Sequence, residues 1–221
     1  MTRLVGSVLL GALLVGVPSA LHAQERPEIG FGLGLNVATL DAPDADVGVR
    51  QLFAAGLVAQ MGLAGPLSVQ SQLLFDQKGA VVRGEVEALR YAAAYIDLPV
   101  LLRLKGPSLG SVDPYLLAGG FGGVKIFEQQ RGGSSGRSLP LETSTSFFKR
   151  TNAGLTGGVA GTIRLRGDRR LNVAVRYSQG LTNVSRDIDE HPFTAPDGRK
   201  IAPFPEEATT RTVSVMVRFG L

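Results

Sequence analysis

Ile29-Gly30-Phe31-Gly32-Leu33-Gly34-Leu35-Asn36-Val37 places a large apolar side chain at every second position and a glycine or asparagine between them. A period of two is the signature of a β-strand, because successive side chains leave opposite faces of the sheet. Here one face is wholly apolar and the other small or polar. The same rhythm recurs downstream. Phe53, Leu57 and Met61 stand against Gly56 and Gln60, and Leu67, Val69, Leu73 and Phe75 against Ser68, Gln70, Gln72 and Asp76. Ala94, Ile96, Leu98, Val100, Leu102 and Leu104 stand against Tyr95, Asp97, Pro99, Leu101, Arg103 and Lys105. A glycine-rich stretch from about Pro114 to Glu128 follows. Then come Leu155, Val159, Ile163 and Leu165 against Thr156, Gly158, Thr162 and Arg164, and Leu171, Val173, Val175 and Tyr177 against Asn172, Ala174, Arg176 and Ser178. Val213, Val215, Val217, Phe219 and Leu221 against Ser214, Met216 and Arg218 close the chain. These segments predict eight strands.

Most of them are long enough for the roughly 9–11 residues that a tilted membrane strand requires. Their connections alternate in length. Ala64-Gly65-Pro66, Gly106 to Asp113 and Gly167-Asp168-Arg169 read as short turns, and Asp41 to Arg50, Gly79 to Arg90, Gln129 to Lys149 and Thr182 to Thr209 as long polar loops. The expected fold is therefore all-β: a transmembrane antiparallel up-and-down β-barrel of eight strands, with short periplasmic turns and long external loops. A soluble barrel would share the period with its apolar face turned inward. The many glycines and few lysines on the polar face favour the membrane form, as does a final strand alternating to the chain end.

Upstream of the first strand, Arg3 precedes an uncharged apolar run from Leu4 to Val17, broken by Pro18, with Ala23 before Gln24. That pattern predicts a cleaved signal peptide over 1–23 and a barrel domain over 24–221. The 221 residues include no cysteine, so disulfides, thiolate metal sites and a lipid-modified cysteine are excluded. The net charge of +4 comes from dispersed residues and gives no basic block for nucleic acid. The expected partners are outer-membrane lipid around the barrel and the outer-membrane insertion machinery, which reads a C-terminal strand of this type, with an envelope protein partner open at the loops.

Several segments in order resemble the porin-family, PorT-type outer-membrane β-barrel domain. They are the Ile29–Thr39 strand, Leu73-Leu74-Phe75-Asp76-Gln77-Lys78-Gly79, Tyr95-Ile96-Asp97-Leu98-Pro99-Val100-Leu101-Leu102-Arg103, Asp113-Pro114-Tyr115 with the glycines after it, and Arg176-Tyr177-Ser178-Gln179-Gly180-Leu181-Thr182-Asn183. The resemblance implies a fold and an outer-membrane location, and it permits a role as an accessory factor in secretion or envelope assembly. It brings no assigned activity.

Candidate chemistry is sparse. His191, between Glu190 and Pro192 in a long loop, lacks the rigid support that a hydrolase or phospholipase histidine needs. Asp41, Asp44 and Asp46 could offer carboxylates to Ca²⁺, yet their spacing matches no binding loop, and solvated acidic residues explain them. Gly30, Gly32 and Gly34 alternate too strictly, with no helix behind them, for a dinucleotide fingerprint. No catalytic, cofactor-binding or metal residue is assigned, and no cofactor is expected. Tyr91, Tyr115, Phe127 and Tyr177 are candidates for the membrane interfaces. The inward parity collects structural charges instead: Asp76, Asp97, Arg103, Arg164, Arg176 and Arg218, with Lys105 beside them. An eight-stranded interior holds only its own side chains, so these are expected to pair. Asp97 with Arg176 is the expected pair, and Arg218 the second choice. Pro99, lacking an N–H inside a closed barrel, predicts a bulge or an unpaired carbonyl. The reading is a non-enzymatic barrel scaffold carrying four external loops. A narrow solute channel and a lipid-modifying enzyme are the alternatives.

Overall fold

The computed structural model describes residues 27–42, 46–83, 88–132, 139–140, 147–165, 170–185 and 207–220. The expected signal peptide, His191, Asp44 and the Gly167-Asp168-Arg169 turn lie outside them. Eight long strands make the fold: β1 Glu28–Asp41, β2 Arg50–Ala64, β3 Leu67–Arg83, β4 Ala88–Lys105, β5 Val112–Gly132, β6 Thr151–Arg164, β7 Arg170–Gly180 and β8 Thr209–Gly220. Each pairs antiparallel with its chain neighbours. The first and last strands also pair, from Gly30 opposite Gly220 to Asp41 opposite Thr209. That seam closes the sheet into an up-and-down barrel, so none of the eight long strands is left as an edge, the condition for crossing hydrocarbon.

The facing follows the alternation. Ile29, Phe31, Leu33, Leu35 and Val37 of β1 are exposed on the outside, as are Ile96, Leu98, Val100, Leu102 and Leu104 of β4 and Val213, Val215 and Phe219 of β8. The partner positions Asn36, Asp97, Arg103, Thr212 and Ser214 are buried in the lumen. A polar interior under an apolar exterior is stable only where the exterior meets lipid, which rules against the soluble, lipocalin-like arrangement.

Two glycines show why the inward face is so small. A Cβ placed on Gly56 would collide with the carbonyl oxygen of Leu73, and one on Gly119 with that of Val100. Only glycine lets neighbouring backbones approach so closely inside a narrow cylinder. At one end of the barrel Gly65 turns the chain between β2 and β3 with φ +54°, a left-handed conformation that glycine adopts without strain.

At the opposite end, which carries the longer connections, the structure corrects the expected loops. Gly79 to Arg90 is largely strand, since β3 and β4 stay paired from Gly79 opposite Ala92 to Arg83 opposite Ala88. β5 likewise continues to Gly132, where Leu139–Pro140 pairs with it, and Val47–Gly48 pairs with Val82 and Val81. Outside the bilayer the exterior is water, so apolar residues there turn inward. Ala80, Val82, Tyr91, Ala93 and Tyr95 are buried inside this extension. Of the two expectations for Pro99, the bulge does not occur there, while the ladder on its β3 side is interrupted opposite it. Pro99 keeps register with Phe121, and the bulge falls instead between Ala94 and Tyr95, opposite Phe127 and Lys125. The β3–β4 ladder merely skips the positions facing Pro99 and Leu98, between Ser71–Val100 and Leu74–Asp97.

Candidate functional site

Among the described residues, the lumen is where the strands converge polar side chains, and it is layered. At the loop end an apolar cap closes it. Leu40, Val82, Tyr91, Tyr95, Phe147 and Phe148 pack together with Val184 and Ala208. Phe147 and Phe148 belong to a returning segment fixed by Glu128, whose carboxylate accepts their backbone N–H groups at 2.9 and 3.4 Å. Lys125 donates to Glu128 at 2.8 Å and also to the Phe148 carbonyl. Val184 is tied into the same cap, donating its N–H to the Ala208 carbonyl and accepting from Lys149.

Beneath the cap lies a buried ionic cluster. Lys78 Nζ is 2.5 Å from Asp97 Oδ2 and 3.5 Å from Asp76 Oδ2. The ammonium also lies over the Phe121 ring, 4.2 Å from its centroid. Asn36 donates to Asp76 at 2.5 Å. Gly123 leaves room for the Asp97 carboxylate, which would collide with any Cβ there. A buried carboxylate is tolerable only with such a cation and such donors.

Lower still, Arg176 Nη1 donates to Gln72 at 2.9 Å, among the buried apolar side chains Ala54, Leu74, Leu117, Ala160, Ala174 and Met216. Then comes Arg103, fully buried, its guanidinium carbon 4.1 Å from the centroid of Tyr115. Arg218 donates to Gln60 at 2.8 Å and lies 3.6 Å from Glu28. At the turn end the lumen widens into a polar cup of about 440 Å³, lined among others by Glu28, Gln60, Ser68, Lys105, Asp113, Tyr115, Arg164 and Arg170. Asp113 stands outside the apolar band there. It accepts from Ser108 at 2.6 Å and Arg164 at 2.9 Å, with Lys105 at 3.3 Å. Those contacts, Ser108 first, hold its carboxyl down at about 2.

The sequence-predicted charges are therefore distributed along the lumen rather than gathered. Asp76, Asp97, Arg103, Arg176 and Arg218 face it at successive heights. Arg164 does not lie within it: its side chain is 57% exposed at the rim, on Asp113. The expected pairing of Asp97 with Arg176 is replaced by Asp97 with Lys78, and Arg176 instead donates from Nη1 to Gln72, its Nε having no hydrogen-bond partner. Lys78 wins because it sits on the adjacent strand of the same hairpin, four positions beyond Leu74, the residue that pairs with Asp97, and its long side chain reaches back to the carboxylate. Sequence reasoning missed it by ending β3 at Asp76, although Lys78 shares the inward parity of Gln72 and Asp76. Tyr91 is buried in the cap and Tyr115 faces the lumen, so neither marks an interface, whereas Phe127 and Tyr177 are exposed outside. Asp41 is engaged by Arg211, and no metal-binding cluster of three or more side chains occurs among the described residues.

The sequence matches the family described as the outer membrane protein beta-barrel domain over residues 22–186. No curated protein matches it. Among solved structures, the Neisserial surface protein A is 12% identical with a TM-score of 0.46, covering 90% of this chain and 99% of its own. OprG from Pseudomonas aeruginosa is 12% identical with a TM-score of 0.45, covering 88% and 91%. Ail, the attachment invasion locus protein of Yersinia pestis, is 9% identical with a TM-score of 0.39, covering 89% and 100%.

Proposed function

We propose, from the premise that the chain belongs to the outer membrane protein beta-barrel domain family, that this outer-membrane barrel is a non-conducting, non-enzymatic scaffold. Its short turns face the periplasm, and its strand extensions and long connections stand outside the cell, offered to an envelope or surface partner. One observation carries the reading. The lumen ends in a cap of Tyr91, Tyr95, Phe147, Phe148, Val184 and neighbours, of which the first five are at most 2% exposed. A largely apolar plug of this kind, in which the Tyr91 and Tyr95 hydroxyls are the only side-chain oxygens of the five, gives a permeating ion few ligands in place of its water, and below it Lys78, Asp76 and Asp97 bind one another instead of a solute.

The test is conductance of the purified barrel in planar bilayers. A scaffold gives no stable steps at physiological salt. Reproducible, ion-selective steps would move the protein to the alternative of a narrow solute channel whose cap opens.

A further inference from the structure

The turn-end half of the lumen carries charge that its described residues do not balance. Lys105, Arg164 and Arg170 line the cup, Arg218 stands beside it, and Arg103 lies behind its Tyr115 wall. Among the described residues, the carboxylates facing these five cations are Glu28 and Asp113. Glu28 is shared by Arg170, at 2.7 Å, and Arg218. Asp113 is shared by Arg164 and Lys105.

That leaves Arg103. Its side chain is wholly buried, and Nε, Nη1 and Nη2 all lack a hydrogen-bond partner. The Tyr115 ring stacks on its guanidinium face, which leaves the in-plane N–H donors unanswered. A buried guanidinium without acceptors is strongly unfavourable unless something else supplies them. Its surroundings lead to the cup: Tyr115 lines the cup, and so does Ser68, which sits directly across the ladder from Arg103.

We propose that the cup is a binding site for a phosphate group presented from the periplasmic side, with Arg103 as the residue that sets its affinity. Lys105 and Arg164 at the mouth draw the anion in, and rotation of the Tyr115 side chain brings its oxygens to the Arg103 donors. A tetrahedral phosphate oxyanion suits the site better than a halide, because its non-bridging oxygens can accept from several guanidinium N–H groups at once. The 440 Å³ volume takes a phosphate with its substituent, so a free phosphate monoester and a phospholipid headgroup share the required chemistry. The site does not depend on whether the barrel conducts.

Isothermal titration of the full barrel in a neutral detergent at low ionic strength, with inorganic phosphate as probe, tests this. Saturable binding is expected, and Arg103→Met should weaken it by about tenfold or more, the usual worth of a charged hydrogen bond. Arg211→Gln, at the opposite end of the barrel where Arg211 is engaged by Asp41, should change it by no more than about twofold. Should Arg103→Met fail to fold, Ser68→Glu serves instead. It sets a carboxylate beside Arg103 and should abolish phosphate binding while the barrel keeps its heat-dependent gel shift. A parallel titration with short-chain phosphatidylglycerol separates the sources: preference for it identifies a headgroup, preference for inorganic phosphate a soluble anion. Failure of both to bind, or wild-type binding by Arg103→Met or Ser68→Glu barrels, overturns the site.

Discussion

Lys78 and Asp97 meet inside the barrel across the β3–β4 hairpin, Nζ to Oδ2 at 2.5 Å, with side chains only 2% and 4% exposed. The contact joins adjacent strands at the foot of the apolar cap, so it braces the wall where the barrel leaves the bilayer.

Lys78→Met removes the cation and leaves Asp97 and Asp76 facing one another without it. Breaking one partner of a buried pair costs roughly 3–5 kcal/mol, and replacing both partners costs much less. Lys78→Met should therefore destabilise the barrel by about that amount in urea unfolding from lipid vesicles, and Lys78→Met with Asp97→Leu should recover a large part. Additive losses in this cycle would show that the two residues do not act as a pair. Arg176→Met combined with Asp97→Leu should couple more weakly than Lys78→Met with Asp97→Leu, since Arg176 donates to Gln72 rather than to Asp97.

Two glycines of β5, Gly119 on the inward face and Gly122 on the outward one, make a second test. Gly119→Ala drives a methyl group into the Val100 carbonyl oxygen, whereas a Cβ on Gly122 meets nothing within 4 Å. Overpacking of this kind costs about 1–3 kcal/mol. Gly119→Ala should lower stability by that amount, and Gly122→Ala should leave it within about 0.5 kcal/mol. Equal effects at both sites would mean that the β4–β5 backbone approach is looser than described.

The cap hangs on Glu128. Glu128→Ala removes the acceptor for the Phe147 and Phe148 N–H groups and the partner of Lys125. Losing buried acceptors is worth about 1–3 kcal/mol, or roughly a ten- to hundredfold rise in local opening. Chymotrypsin added outside barrel-bearing vesicles should cut after Phe147 or Phe148 faster by that factor, with little change in global unfolding. Unchanged cleavage would place the anchor elsewhere.

How much of this was legible in the chain depends on which side of the bilayer surface a residue lies. Within the bilayer, Ile29 to Val37 announced both strand and facing, because lipid outside and polar side chains inside hold the alternation strict. Beyond it the exterior becomes water and the rule inverts. Val82, Tyr91 and Tyr95 turn inward, so Gly79 to Arg90, with its charges, read as a loop and hid Lys78 from the count of lumen residues. Parity placed Asp97, Arg103 and Arg176 in the lumen. It could not name their partners, because height across a tilted barrel depends on registers summed over several strands, and the bulge opposite Tyr95 shifts one of them. Arg103 was legible as an interior charge, but its lack of any acceptor was not.

The last prediction tests the facing itself. Leu98 stands on the outer wall, 49% exposed, within the β4 run from Ile96 to Leu104. In water, a substitution at so exposed a position would change stability by less than about 0.5 kcal/mol. In a bilayer, Leu98→Arg sets a guanidinium near the hydrocarbon midplane, which costs about 2–4 kcal/mol in barrels of this class. Thr151→Arg, exposed at the loop-end start of β6 beyond Leu155, should cost no more than about 1 kcal/mol, since the penalty falls toward the interface. Unfolding from vesicles should therefore separate the two variants by at least about 1 kcal/mol. If Leu98→Arg were as mild as Thr151→Arg, the outer wall would not be in hydrocarbon, and the lipid-facing assignment of the whole alternation would fail at its centre.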